Sequence, residues 1–181
     1  QLLYDFGKTG GARTAASEGL HAAEQDHARI IQETVLNVKQ SYFGLLQSQK
    51  LVLIAHKTLE QSESHLKQAQ AFFNAGSKPR FDVTRAEVEV NSAKLGLLNA
   101  QNTLRLSMIS LNNAMGIDPS ALTAIEEIPA TSVVPAPTLE AAQAEALTAR
   151  PDIKKADSDA RAARARVRSA EGGYFPTLSA S

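Results

Sequence analysis

Four histidines, at positions 21, 27, 56 and 65, are the side chains of this chain best suited to metal binding or proton transfer. They are dispersed. On a helix His56 and Glu60 would share a face at i, i+4, but no third ligand is evident there, so the pair falls short of a metal site. Arg161, Arg164, Arg166 and Arg168 crowd the segment RAARARVR. A basic helix can hold phosphate, yet acids balance this one and no aromatics interleave, which fits a water-facing surface. There is no Gly-rich phosphate loop, no Ser/His/Asp set and no carboxylate pair in a pocket-forming context. The absence of Cys removes disulfides, thiolate metal sites and cysteine nucleophiles. These residues predict no enzyme, no metal and no cofactor. The polar group in the most distinctive setting is Asp82, in the stretch FFNAGSKPRFDVTRAE at 72–87, where Gly76, Pro79 and a group of charges interrupt helix-forming sequence on both sides.

The elements around that stretch are long. The 181 residues carry 19 Lys plus Arg against 19 Asp plus Glu, a balance that gives no electrostatic case for nucleic acid or an anionic membrane surface. Aromatics make up 5%, Trp is absent and there are 30 alanines, a composition that favours helix and close helix contacts over a thick core. No apolar run reaches the ~18–20 residues of a membrane-spanning helix, and no signal peptide is present. The chain opens at Gln1 inside a strand-like pattern, so it reads as a piece of a longer protein whose targeting segment would lie outside it.

QLLYDFGKTGG alternates early and then meets Gly7, Gly10 and Gly11, a short strand signal. Beyond Gly11 no proline occurs until Pro79. Ile31, Val35, Val38, Tyr42, Leu45, Val52, Leu59, Leu66 and Phe73 recur at steps of 3 and 4 or their multiples, with Gln49, His56, Glu63 and Gln70 at the skipped positions. Leu36, Phe43, Leu46 and Leu53 form a second stripe. A helix over 12–75 would be ~95 Å long and needs a partner of similar length. The partner follows: Val83, Ala86, Val90, Ala93, Leu97, Ala100, Leu104, Met108, Leu111 and Met115 form one row, and Val88, Leu95, Leu98, Leu106 and Ile109 another, ending at Gly116 as a C-cap. Fewer than ten residues join the two helices, so they should lie antiparallel. Residues 116–137 carry Pro119, Pro129, Pro135 and Pro137 and predict an extended connector. Thr138 should cap a helix through Ala149, Pro151 should break and restart it, and Ile153, Ala156, Ala160, Ala163, Val167 and Ala170 should form its small-residue seam. Gly172 and Gly173 end that helix, and YFPTLSAS returns to a strand-like pattern.

The expected fold is mainly α, a long antiparallel coiled-coil hairpin with short β segments at both ends. Its parts are a strand end at 1–11, the hairpin at 12–115 with its tip at 74–82, a Pro-rich connector at 116–137, a broken Ala-rich helix at 138–173 and the start of a strand at 174–181.

That order resembles the TolC-like outer-membrane efflux proteins. QLLYDFGKTG resembles the family's barrel strand that runs into a long helix. AFFNAGSKPRFDVTRAEVE resembles its periplasmic hairpin tip, with Phe73, Gly76, Asp82, Val83 and Ala86 at matching positions. LNNAMGID resembles the end of the returning helix, and ARPDI, the Ala-rich helix and YFPTLSAS resemble the start of the second repeat and its next strand. Pro79 departs from the family's usual small polar residue, and Thr84 from its usual leucine. The resemblance implies an α-helical barrel continued by a β-barrel: a trimer in the outer membrane, with a periplasmic tunnel, that exports small molecules or proteins together with a periplasmic adaptor and an inner-membrane transporter. This chain would supply about one repeat. The resemblance also implies that Gly76, Ser77, Lys78, Pro79 and Arg80 meet the adaptor, and that Asp82 takes part in a polar link closing the tunnel end. The bland reading of the same turn is a helix stop at Gly76 and a helix start favoured by Asp82. A non-membrane structural coiled coil would satisfy the heptads as well. An adaptor hairpin would need flanking lipoyl-like β segments, which the sequence does not show.

Overall fold

The computed structural model describes residues 2–126 and 137–179. Its order is β1 (Leu2–Tyr4), α1 (Lys8–Asn74), α2 (Arg80–Met115), α3 (Leu139–Ala149), α4 (Pro151–Gly172) and β2 (Leu178–Ser179). The chain is mainly helical and divides into two compact units, residues 35–130 and residues 1–34 with 131–181, and the 67-residue α1 runs through both. Pro129 and Pro135 of the expected connector lie outside the described residues.

In the unit of residues 35–130, α1 and α2 pack through one heptad seam. The least exposed row of α1 is Val38, Leu45, Ser48, Val52, Ala55, Leu59, Ser62, Leu66 and Ala69; that of α2 is Val83, Ala86, Val90, Ala93, Leu97, Ala100, Leu104, Ser107 and Leu111. Large and small residues alternate along both. Ser48 Oγ and Ser107 Oγ are hydrogen-bonded across the seam at 2.8 Å, which fixes the antiparallel register. Stepping one heptad forward on α1 and one back on α2 brings Ala55 level with Ala100, then Ser62 with Ala93 and Ala69 with Ala86. Small layers therefore meet small layers, and Leu59/Leu97 and Leu66/Val90 fill the space between. The polar positions expected to interrupt the α1 stripe, Gln49, His56, Glu63 and Gln70, all stay exposed. The second seam position lies one residue earlier, where small side chains let the backbones close in.

The end of α2 is pinned by one amide. Gly116, at φ +70°, closes the helix by donating to the Asn112 and Asn113 carbonyls, and Ile117 N donates to Asn112 O at 3.0 Å. The Asn112 side chain is fully buried. Its Nδ2 donates to Pro119 O (3.2 Å) and Ala121 O (2.8 Å), and its Oδ1 accepts from Thr123 Oγ1 (2.6 Å). The connector thus folds back on the helix it leaves, and the Tyr42 hydroxyl donates to the Glu126 carbonyl.

In the other unit, α1 starts at Lys8 rather than after the glycines. Phe6 (φ +51°) and Gly7 (φ +89°) turn the chain, and the Asp5 carboxylate accepts from Gly7 N at 3.2 Å and Thr9 N at 2.7 Å, satisfying donors the helix start leaves free. Gly11 does not end the strand; it lets α4 approach. A Cβ at Gly11 would lie 2.8 Å from Ser169 N and 2.9 Å from Ala165 O. Ser169 Oγ donates to Lys8 O at 2.8 Å. The buried row of α4 is Ser158, Ala162, Ala165 and Gly172, and Ala15 and Ala22 of α1 are buried as well. The expected row, Ile153 to Ala170, is exposed instead. Both rows are rich in alanine, so hydrophobic contrast does not choose between them. The charges do: Arg161 Nε donates to Glu18 Oε2 at 2.9 Å, and Lys155 Nζ lies 3.6 Å from Asp26 Oδ1. Thr138 caps α3 by accepting from Ala141 N, and Pro151 restarts the helix as α4. Residues Leu2–Tyr4 and Leu178–Ser179 form a short antiparallel ladder pairing Leu2 with Ser179 and Tyr4 with Leu178. The Phe6 and Phe175 rings stack beside it, centroids 5.1 Å apart.

Two glycines separate packing from propensity. Nothing lies within 4 Å of a Cβ added at Gly19. Gly19→Ala should raise helix stability by about 0.5–1 kcal/mol, whereas Gly11→Ala should lower it by about 1–3 kcal/mol because its methyl meets backbone atoms. Thermal unfolding followed by circular dichroism reads the opposite signs. At the base of α2, Asn112→Ala should cost about 2–3 kcal/mol, since it removes three hydrogen bonds from a buried site, and Thr123→Val, which removes one, about 1 kcal/mol. Equal losses in the two variants would show that the amide is not the centre of that network.

Candidate docking site at the hairpin end

The turn between α1 and α2 is built almost wholly by backbone. Gly76 N donates to Phe73 O and Ser77 N to Phe72 O, both at 2.9 Å, with Gly76 at φ +73°. This paired closure of the last helical carbonyls needs a left-handed residue, which glycine supplies without a Cβ penalty. Pro79 then occupies the N-cap position of α2 with extended backbone (φ −71°, ψ 157°), and no side chain caps the helix. Asp82 sits in the first turn, where the helix dipole favours a carboxylate, and its N–H donates to Pro79 O at 3.1 Å. The turn holds itself together without the side chains of Ser77, Lys78 or Arg80.

The side chains of Ser77 and Arg80 are free for other use. Gly76, Ser77, Lys78, Pro79 and Arg80 are consecutive and exposed, and Asp82 is partly buried. No atom lies within 4 Å of a Cβ placed at Gly76. Lys78 Nζ sits 5.4 Å from the centre of the Phe72 ring and 3.9 Å from Asp82 Oδ2. Phe72, Phe73 and Phe81 are all exposed, Phe81 by 71%, so the end presents aromatic surface beside charge. Behind it a groove of about 290 Å³ runs between the helices, with His65, Gln68 and Phe72 on one wall and Asp82, Arg85 and Glu89 on the other. Sequence reasoning named the five turn residues and Asp82 but passed over Phe81 and the groove wall. The i, i+4 spacing of Lys78/Asp82 and Arg85/Glu89 was the available signal.

Of the other candidate groups, Arg161 and His21 have partners within the chain. Arg161 is tied to Glu18, Asp157 and Ser158. His21 Nδ1 lies 3.2 Å from Glu24, and among the described residues no three His, Cys, Asp or Glu side chains come together to hold a metal. The carboxylates held below their usual range belong to a cap, a turn and ion pairs: Asp5 by Thr9, Asp118 by Ser120, Asp26 by Arg29 and Asp152 by Arg150. None of them lines the groove. Among the described residues no helix is long and apolar enough to cross a membrane.

Comparison with known proteins gives these elements a context. No curated protein matches the chain. A solved structure described as "Structural insights of the outer-membrane channel OprN" superposes with a TM-score of 0.85 over 95% of the chain at 23% identity. At that identity the likeness is one of fold. The chain spans 39% of that structure's length. The sequence model of the family described as outer membrane efflux protein matches residues 1–117, which take in β1, α1, the turn and all of α2. The chain belongs to the outer membrane efflux protein family, whose members are TolC-like channels of the outer membrane with a periplasmic helical tunnel.

Proposed function

We propose that residues 12–115 form one helical hairpin in the wall of a trimeric export tunnel, that 1–11 and 174–181 lead into its β-barrel, and that 116–137 and 138–173 form the connector and supporting helices at its girdle. The tunnel passes small molecules or proteins outward, in concert with a periplasmic adaptor and an inner-membrane transporter. One observation carries this reading. The seam buries one face of each helix, yet a second apolar row stays open: Phe43 is 58% exposed, Leu53 52%, Leu95 59% and Leu106 67%. A free two-helix hairpin would gain nothing from that row, whereas a wall needs neighbours on both flanks.

Within this reading Gly76, Ser77, Lys78, Pro79 and Arg80 meet the adaptor. Asp82 contributes a polar link that holds the tunnel end closed, with a partner outside this chain; its distant contact with Lys78 leaves a carboxylate oxygen available. The full-length protein should run as an outer-membrane trimer after chemical cross-linking, and its deletion should increase sensitivity to exported compounds. A soluble cytoplasmic protein would overturn the reading. At the turn, Gly76→Glu should weaken adaptor capture by the full-length protein. Because Gly76 is left-handed, the glutamate also adds strain of about 1 kcal/mol. Gly76→Asn tolerates that conformation and should leave capture near the parent level. Equal capture by both variants would count against docking at the turn.

A further inference from the structure

The basic segment RAARARVR of α4 divides by partners. Arg161 is spent on Glu18, Asp157 and Ser158. Arg168 is not. Among the described residues neither it nor Glu171, three positions on, makes an ion pair or a side-chain hydrogen bond, and both are exposed. At the same i, i+3 spacing Asp26 and Arg29 close to 3.0 Å. Arg168 and Glu171 instead line a groove of about 420 Å³ between the start of α1 and the end of α4, together with Gly10, Gly11 and the rings of Phe6 and Phe175. The chain has only six phenylalanines and three tyrosines. Tyr4, Phe6, Tyr174 and Phe175 gather in or beside the β1–β2 ladder, all of them exposed. Tyr4 meets Phe6 edge-on with centroids 4.8 Å apart, and Phe6 stacks on Phe175. One base, one acid and an aromatic shelf therefore meet where the strands pass into helices.

We propose that this groove holds the headgroup of a phospholipid carrying both a phosphate and a primary ammonium, an ethanolamine phospholipid of the leaflet nearest the helices. Arg168 donates to the phosphate, Glu171 accepts from the ammonium, and Phe6 and Phe175 lie against the glycerol and the first acyl carbons. The inference rests on residues 1–11 and 174–181 leading into the β-barrel, which sets the ladder in the membrane and the helix ends at its surface. Aromatic rings concentrate at that depth. The i, i+3 spacing sets the two charged residues about 5–6 Å apart at Cβ, the scale on which an ethanolamine phosphate separates its own charges. The planar guanidinium suits phosphate oxygens, and a primary ammonium brings three donors to a carboxylate. A choline headgroup has no N–H for Glu171. A glycerol headgroup has no cation, so it gains Arg168 but faces Glu171 unpaired.

Native mass spectrometry of the full-length protein from detergent tests this, with phosphatidylethanolamine, phosphatidylcholine and phosphatidylglycerol of identical acyl chains added in equal amounts. The ethanolamine lipid should be retained about threefold more than either competitor, the scale of one partly exposed charge pair. Arg168→Gln should weaken retention of all three. Glu171→Gln should abolish the preference over choline while choline-lipid binding persists, and Glu171→Lys should turn the preference to the glycerol lipid, neither of which a misfolded protein could do. Equal retention of the three lipids, an unchanged preference in Glu171→Gln, or a preference for the glycerol lipid in the parent protein, which would assign binding to Arg164 and Arg166 as a plain basic patch, would each overturn the proposal. Membrane fractionation separates it from the reading beneath it. An outer-membrane protein without headgroup preference loses this site alone, whereas a protein absent from the outer membrane loses the barrel reading as well.

Discussion

Close approach of helix backbones is the constraint on which both units depend. It is achieved by removing side-chain volume, not by adding apolar surface. In the hairpin, Ser48 meets Ser107 across the seam, the same register sets Ala55 against Ala100, Ser62 against Ala93 and Ala69 against Ala86, and leucines and valines fill the intervening layers. In the other unit, Gly11 and Gly172 let α1 and α4 meet at distances that leave no room for a methyl group. A layered seam of this kind fixes register. Sliding one helix by half a heptad would set large side chains against small ones at every level and break up the paired layers. The Ser48–Ser107 bond adds a polar penalty for any slip, since each hydroxyl would lose its cross-helix partner.

A seam so economical in area leaves the rest of the apolar surface unspent. Phe43, Leu53, Leu95 and Leu106 follow the same helical period as the seam but face away from it. Two apolar stripes on one helix are a cost for an isolated hairpin and a requirement for a curved sheet of helices. The arginines and acids follow the same division. Arg161 and Lys155 reach Glu18 and Asp26 and so align α4 on α1, while the charges of the hairpin end remain weakly matched.

The large members of the seam, the turn and the caps were legible in the sequence because each has a strong local cause. Leu45, Val52, Leu59 and Leu66 carry the heptad by hydropathy, Gly76 and Gly116 mark left-handed stops, and Thr138 and Pro151 mark helix starts. What was not legible depends on partners. Ser48, Ala55 and Ser62 have no hydropathy signal, so the exposed Gln49, His56 and Glu63 seemed to occupy the gaps. The packing face of α4 was misread because alanine lies on both candidate rows, and the contacts of Arg161 with Glu18 and Lys155 with Asp26 decide between them. Gly11 reads as a breaker until a second backbone is seen against it. Asn112 gives no sign of burial in the sequence: a buried amide becomes legible only when Pro119, Ala121 and Thr123 are found around it.

The turn between α1 and α2 shows how a fixed scaffold can carry a variable surface. Its conformation depends on one left-handed glycine, two carbonyls at Phe72 and Phe73, and the extended backbone of Pro79. None of these constrains what Ser77, Lys78, Arg80 or Phe81 may be. Pro79 holds an extended backbone and its carbonyl accepts from Asp82 N at 3.1 Å, so that first-turn donor is met without a side-chain cap. Asp82 is thereby released from capping: its carboxylate acts on the dipole of α2 by position alone and keeps its oxygens for groups outside the helix. A proline in place of a small polar cap thus shifts the work of starting α2 from side chain to backbone.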